Sequence, residues 1–433
     1  MAHDVAGTLN KLAKDVYGDI STLYPDFTYL QKKIQFRQSK KLGKEYVEAV
    51  KLSRSQGFTY GQGVQTLKGS IVSAQDDAKV RGAPLYLQED IALDVAAGLA
   101  SAGPRAFIAG SKLITENMIE SFSHRLEAQM LYGSKGLGTL ASVTNSVADD
   151  ADISLVFTAA SWATGIWAGQ ENAKLEFANA GNSAKITSAG EPVVVQVDSI
   201  DAANKTLVCT IIPQTGQTLA ALDDLIIPGL QVYFFGAFGN ESVGLDTVCS
   251  TTSASTLYNI ASSGYSMWQA TQKALLSSAL TVKKIYATVG SAMGKGLMED
   301  VVALVSPDAF LDLASAEIDT GSTGGRRYAS SSDAKNIKTG ASSVVLTGPQ
   351  GEIEVVPHPM VKTGDCMVFP IGKAERIGST DVTFKVPGRG DEMFILSTTQ
   401  TSYEIRLMSD QSLFLPCPSK CLKITGIVPT AIT

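Results

Sequence analysis

Between Pro104 and Tyr132 large apolar side chains recur at helical spacing, and this stretch constrains the fold more than any other. Ile114, Met118, Phe122 and Leu126 fall every four residues, flanked by Phe107, Ile119 and Met130, so they line one stripe. Gly103-Pro104 supplies a start, with proline in the first turn where its missing N–H loses no bond, and Gly133 supplies a stop. At about 1.5 Å per residue such a helix would be ~45 Å long. Lys112, Glu116, Glu120 and Glu127 fall opposite the stripe, which predicts a helix lying on a surface rather than in a bundle centre.

The remaining patterns are mostly strand-like. Residues 1–45 show no core pattern beyond Leu23, Tyr24, Phe27, Tyr29 and Leu30, and suggest an extended arm. From Tyr46 to about Leu87 a weak strand pattern is interrupted by Gly57, Gly61, Gly63, Gly69 and Gly82. Tyr46, Val50 and Leu52 share one face there, with Lys51 and Arg54 keeping the edge polar. A long glycine-punctuated hairpin with so little apolar content cannot fold alone. Between 150 and 260 Val193, Val195 and Val197 alternate, a polar turn follows, and Leu207-Val208-Cys209 returns, which is a hairpin signal. Leu225-Ile226-Ile227 and Val232-Tyr233-Phe234-Phe235 add short runs, and together these predict a small barrel or sandwich. After Trp268 an amphipathic helix is expected through Leu275, Leu276, Val282, Ile285, Tyr286, Val289 and Met293. A strand at Val301–Val305, a helix opening at Pro307-Asp308, and late strands at Phe394 and Leu396, then Tyr403, Ile405 and Leu407, complete an α+β chain with an inserted β domain.

A chain of 433 residues can hold two or three cores. The N-terminus shows no basic patch followed by an apolar run, and no apolar segment reaches bilayer length, so a soluble protein first found in a cytoplasm is expected, without a membrane partner. A net charge of −6 argues against a dedicated nucleic-acid binder. One stretch departs from it: Lys32, Lys33, Arg37, Lys40, Lys41, Lys44, Lys51 and Arg54 crowd together. They form either a solvated charged surface or an arm that docks on acidic groups of a neighbour, such as Asp76, Asp77, Glu89, Asp90, Asp149, Asp150 and Asp152.

Catalytic, cofactor and metal sites are not expected. His3, His124 and His358 have no partner at ligand spacing and read as structural histidines. Cys417 and Cys421 form a single pair, where zinc needs four ligands, and Cys209, Cys249 and Cys366 are scattered. The pair reads as two buried or adjacent thiols, with a disulfide open to them in an oxidising medium. Gly290 to Gly296 has three residues between its first glycines instead of four, and a glycine where a phosphate loop needs Ser or Thr. Gly133 to Gly138 follows a helix instead of opening one, so it reads as a helix stop.

Three stretches stand in order: Ala106-Phe107 through the helix into LYGSKGLGTLASV (131–143), then GAFGNESVGL (236–245) with TLYNIASSGYSMWQA (256–270), and VVALVSPDAFLDL (301–313). Together they resemble the major capsid proteins of tailed bacteriophages, the Hong-Kong-97-like fold family. The closing PHPMVKTGDCMVFP (357–370) and SYEIRLMSDQSLFLPCPSKCLKITGI (402–427) are similar to late strands of that fold, so the resemblance spans 45–427. It implies an N-terminal arm at 1–45, an extended loop at 46–88, and a peripheral domain with its spine helix at 89–149. It further implies a β-rich insertion at 150–260, an axial domain with peripheral elements at 261–390, and C-terminal peripheral strands at 391–433.

The function so implied is a non-enzymatic shell subunit. It would assemble in the host bacterial cytoplasm into pentamers and hexamers of an icosahedral virion head. The shell would enclose double-stranded DNA without sequence-specific binding. Portal, scaffolding and decoration proteins would be its partners, with scaffolding on a separate chain because the arm is short. The alternatives are an encapsulin-like nanocompartment shell protein and a β-rich phage surface or adhesion protein. The segment Gly57–Gly82 is expected to project as two arms of about a dozen residues, reaching ~40 Å at about 3.3 Å per residue. It would lie across a neighbour, with Lys51, Arg54, Lys68, Lys79 and Arg81 as candidate inter-subunit contacts.

Overall fold

Tyr29–Lys33 forms a short helix, α1, and the strands β1 (Phe36–Gln38), β2 (Glu45–Lys51), β3 (Gln75–Arg81) and β4 (Pro84–Ala92) follow it. The computed structural model describes residues 28–67, 69–92, 104–145, 151–320, 326–328, 344–385, 393–396 and 401–430. Most of the expected arm at 1–45, together with Lys68, Asp149 and Asp150, lies outside the described residues. Helix α2 spans Pro104–Tyr132, the range its periodicity predicts. Met118, Phe122, Leu126 and Met130 are all buried, so the stripe is the covered face. Glu116 and Glu120 on the other face are exposed.

Glu127 departs from that pattern. Read as a solvent-facing charge, it is fully buried, and its carboxylate accepts the N–H of Leu30 at 2.8 Å and of Gln31 at 3.2 Å. The first turn of any helix leaves N–H groups without partners, and here a carboxylate remote in sequence caps α1. Gln31 Nε2 adds a bond to Ser123 O at 2.6 Å.

After α2 the chain enters a closed barrel. Its strands are β5 (Gly138–Asn145), β6 (Asp152–Phe157), β7 (Lys174–Ala178), β10 (Val194–Asp201), β11 (Thr206–Ile211) and β12 (Gln231–Phe234). The small pair β8 (Thr187–Ser188) and β9 (Glu191–Pro192) stands off it. Ile153, Leu155 and Phe157 on β6 alternate inward, as do Leu207, Cys209 and Ile211 on β11. The expected hairpin is β10–β11, with Val197 opposite Cys209 and the turn held by Asp201 Oδ1 accepting the N–H of Ala203 and Asn204. The barrel begins at Gly138 rather than at 150, because β5 supplies the strand between β6 and β12.

Within the barrel's chain span lie α3 (Thr164–Trp167) and α4 (Leu219–Asp223), and beyond it come α5 (Leu245–Cys249) and the hairpin β13 (Thr256–Leu257) and β14 (Ile260–Ala261). Thr271–Ser278 then forms β15, not the first turns of a helix, and α6 covers only Val282–Met293. The correction has a tertiary cause: Thr271 to Ala274 pair in parallel with Leu422 to Thr425. A bulge follows in which Leu276 and Ser277 take positive φ values of 52° and 60°.

The C-terminal third adds β16 (Val301–Val305), α7 (Pro307–Thr320), β17 (Arg326–Tyr328), β18 (Val344–Gly348), β19 (Gly351–Pro357) and β20 (Asp365–Phe369). It ends with β21 (Glu375–Thr383), β22 (Phe394–Leu396), β23 (Ser402–Phe414) and β24 (Leu422–Ile427). Seven strands order as β15-β24-β20-β16-β19-β18-β17, and α6 and α7 bury Ile285, Val289, Phe310 and Leu313 in the core shared with that sheet. A second sheet orders β1-β21-β23-β22, with β4 along β23 from Pro84 opposite Asp410 to Ala92 opposite Ser402. The chain therefore mixes helix and strand, with strand predominating. By contact it divides into two units, one holding residues up to 46, 81–127 and 375–414, the other 47–80, 128–374 and 415 onward.

Candidate assembly surface

β2 and β3 form a two-stranded sheet. Tyr46, Val50 and Leu52 are buried along β2 and just after it, as Ala78 and Val80 are on β3, while Asp77, Lys79 and Arg81 alternate onto the exposed face. The root of this hairpin is fixed. The Lys79 N–H donates to Tyr258 O at 2.9 Å, and Tyr258 is a buried residue held at φ 49° in the two-residue turn between β13 and β14. A bulky residue in the left-handed region is strained, and such strain persists only where the surroundings hold it.

Past the root the ladder thins. Leu52 and Ala74 share a backbone bond of 2.9 Å, Ser53 Oγ accepts the Ala74 N–H at 2.8 Å, and Gln56 N–H reaches Ile71 O at 3.0 Å. The strands are seven residues each, shorter than the arms expected from sequence. What lies between carries Phe58, Tyr60, Val64, Leu67, Ile71 and Val72, each at least 59% exposed and Val64 entirely so. Isolated exposed apolar residues are ordinary, but six large ones on one segment leave apolar area that its own chain does not cover.

The charged residues named from sequence sit around this segment. Lys51, Arg54 and Lys79 are exposed at its base; Arg81 is exposed, and its carbonyl accepts the Ser412 hydroxyl. Lys68 lies outside the described residues. Sequence reading singled out the cations and glycines here and passed over the apolar side chains. Their signal was available: apolar residues without period 2 or 3.6 cannot be covered by their own element. Two cations of the upstream basic stretch are engaged within the chain: Arg37 Nε meets Glu375 at 2.7 Å, and Lys41 Nζ meets Asp410 at 2.6 Å while lying 5.7 Å from the Tyr46 ring centroid. Neither carboxylate was among the acidic partners named from sequence.

A buried charge cluster anchors the end of α2. The Tyr132 hydroxyl accepts the Lys362 N–H at 2.8 Å, and Lys362 Nζ lies 4.1 Å over the Tyr132 ring centroid while donating to Gly136 O at 2.9 Å. Lys423 Nζ bridges Asp246 and, at 3.1 Å, Asp365. Burial pulls the Lys362 ammonium down to about 8, whereas the two carboxylates hold Lys423 charged and push it up. Burial also drives the Tyr132 phenol well above its usual range. Lys423, Asp246 and Asp365 complete one another's hydrogen bonds, as buried charges must, whereas Lys362 relies on the Gly136 carbonyl and the Tyr132 ring.

His124 and His358 are buried, and His358 Nδ1 accepts the Met360 N–H at 3.2 Å. Among the described residues no group of three or more His, Cys, Asp and Glu side chains has metal-holding geometry, and no helix is long and apolar enough to cross a membrane.

The fold is that of a phage capsid subunit. The chain is similar to the capsid asymmetric unit of Cyanophage A-1(L), with a TM-score of 0.50 and 11% identity over 92% of this chain and 93% of that one. The capsid structure of Cyanophage P-SCSP1u follows at TM-score 0.44 and 9% identity, covering 92% of this chain and 87% of that one. The capsid of an empty GTA particle stands at 0.43 and 7%, covering 93% and 98%. No family model and no curated protein matches the sequence.

Proposed function

We propose that the chain is the major capsid protein of a tailed phage. In this reading it assembles with copies of itself into pentamers and hexamers of a closed Hong-Kong-97-like head around double-stranded DNA. Portal, scaffolding and decoration proteins would be its partners in the virion. The observation that carries the reading is the segment between β2 and β3: six large apolar side chains face solvent in the single chain and need a cover. A second copy is the simplest cover, since a heterologous contact repeated under rotation closes into rings and shells. Lys51, Arg54, Lys68, Lys79 and Arg81 would then be charged contacts at the rim of that interface, setting register more than affinity.

The test is a replacement of residues 57–71 by a short Gly-Ser link. The buried Tyr46, Val50, Ala78 and Val80 lie outside the replaced stretch, so the body should keep its circular dichroism and melt as the parent does. Negative-stain microscopy of the parent, expressed with its scaffold, should show closed shells, and the replacement should show none. Parental shells from the replaced chain would overturn the docking role. A parent that stays monomeric at high concentration beside its scaffold would overturn the shell reading itself.

A further inference from the structure

Helix α5 starts against the end of α2. The Gly244 N–H donates to Gly133 O at 3.0 Å, and a Cβ on Gly244 would stand 2.5 Å from Gly133 N, so glycine is what lets the two turns meet. Two residues on, Asp246 lies buried in the first turn of α5. β20 and β24 run antiparallel with Met367 opposite Lys423 and Asp365 opposite Thr425, so Asp365 and Lys423 are diagonal neighbours on one face. Leu422 and Ile424 point into the core shared with α6 and α7, which turns Lys423 to the other side of the sheet. There Lys423 Nζ meets Asp246 Oδ1 and, at 3.1 Å, Asp365 Oδ2, and the three side chains are only 11%, 7% and 15% exposed, so bulk water is kept out.

We propose that Lys423 and Asp246 condense into an internal amide, with Asp365 as the carboxylate that carries the protons. An amine in hydrogen-bond contact with a carboxylate oxygen stands one C–O bond from the carbon, near the separation of about 3–3.5 Å at which reactants are poised. Asp365 takes one proton from the Lys423 ammonium and passes it to an Asp246 oxygen. Nζ attacks Asp246 Cγ, the N–C bond forms, and the carbonyl electron pair moves onto oxygen. Asp365 then carries a second proton from the nitrogen to the oxygen already protonated. The carbonyl re-forms, the C–O bond breaks, and water leaves. One ammonium and one carboxylate become one amide and one water, Asp365 ends ionised as it began, and no co-reactant is consumed.

Two charges held in this site carry a desolvation cost that their attraction offsets only in part, and the amide removes both charges. Burial raises the Asp365 carboxyl above its usual range, which suits it to hold a proton in transit. The two carboxylates keep Lys423 charged at rest, so the first proton transfer is slow and the amide forms gradually after folding, once per chain. The product ties α5 to β24 across 177 positions of sequence. The inference does not depend on the shell reading.

The full chain is purified, aged at neutral pH, weighed intact by mass spectrometry, then denatured and mapped after trypsin. The aged parent is expected to be lighter than its sequence by one water. Its map should hold a branched peptide joining Asp246 to Lys423, with no cleavage after Lys423. Asp365→Asn, which keeps the Lys423–Asp246 contact, should form the link at least about a hundredfold more slowly. Lys423→Arg keeps the charge and should stay at its sequence mass. An aged, folded parent at full sequence mass with cleavage after Lys423 overturns the proposal, as does a water lost elsewhere in the map. A branch to Asp365, or a parental rate in Asp365→Asn, overturns the roles of the two carboxylates, and the parent's own map decides the link without any variant.

Discussion

The Glu127 carboxylate accepts the backbone N–H of Leu30 at 2.8 Å, 97 positions away in sequence, and through Gln31 at 3.2 Å it closes the first turn of α1. Both ends of this contact are buried, so its loss leaves N–H groups without water or partner. Glu127→Ala is expected to destabilise by about 2–3 kcal/mol, and Glu127→Gln, which keeps one acceptor, by about half of that. Urea unfolding of both variants against the parent checks the order, and equal stabilities would remove the capping role.

Lys362 gives a pH dependence. Burial lowers its folded-state value to about 8 from the ordinary 10.5, so between these values the unfolded chain binds more protons than the folded one. Stability then rises with pH across that window, and below about 8 the penalty for holding a buried ammonium is present in full. Buried phenols and thiols such as Tyr258 and Cys366 are raised, so they pull the other way at alkaline pH. They are common to parent and variant, which makes the difference the quantity to measure. The stability of the parent relative to Lys362→Met should climb from pH 7.5 to 10, and a flat difference would show that Lys362 titrates normally.

Two glycines, Gly133 just past the end of α2 and Gly290 inside α6, should respond in opposite directions. A Cβ on Gly133 would stand 2.2 Å from Ser242 O and 2.6 Å from Gln129 O, both backbone atoms that cannot step aside. Gly133→Ala is expected to cost about 3 kcal/mol or more. Gly290 lies exposed inside α6 with nothing within 4 Å of its added Cβ. Gly290→Ala should stabilise by about 0.5–1 kcal/mol through lower unfolded-state entropy. Thermal melts of the two variants read both signs.

Phe122 is 2% exposed at the centre of the α2 stripe. Phe122→Asp places a charge there without a partner and should cost roughly 3 kcal/mol or more. A variant that melts with the parent would mean that another face of α2 is the covered one.

Sequence alone determined the elements whose cause lies within a few residues of themselves. The four-residue spacing from Ile114 to Leu126 defined α2, and the Val195–Val197 alternation with its polar turn defined β10 and β11. A helix stripe and a strand alternation are written in neighbouring side chains, so they can be read before anything folds. The same reading failed at Leu275 and Leu276, whose apolar spacing suits a helix, because pairing with Leu422–Thr425 makes Thr271–Ser278 a strand.

Tertiary structure alone decided where Glu127 points, that Arg37 and Lys41 find Glu375 and Asp410, and that Gly133 faces the backbone of Ser242. It also decided that β5 closes a barrel. Each partner lies tens to hundreds of positions away, and a local pattern holds no record of so distant a neighbour. For the segment between β2 and β3 the division is the same: composition shows that 52–74 lacks a core of its own, and only the fold shows which side chains it leaves facing solvent.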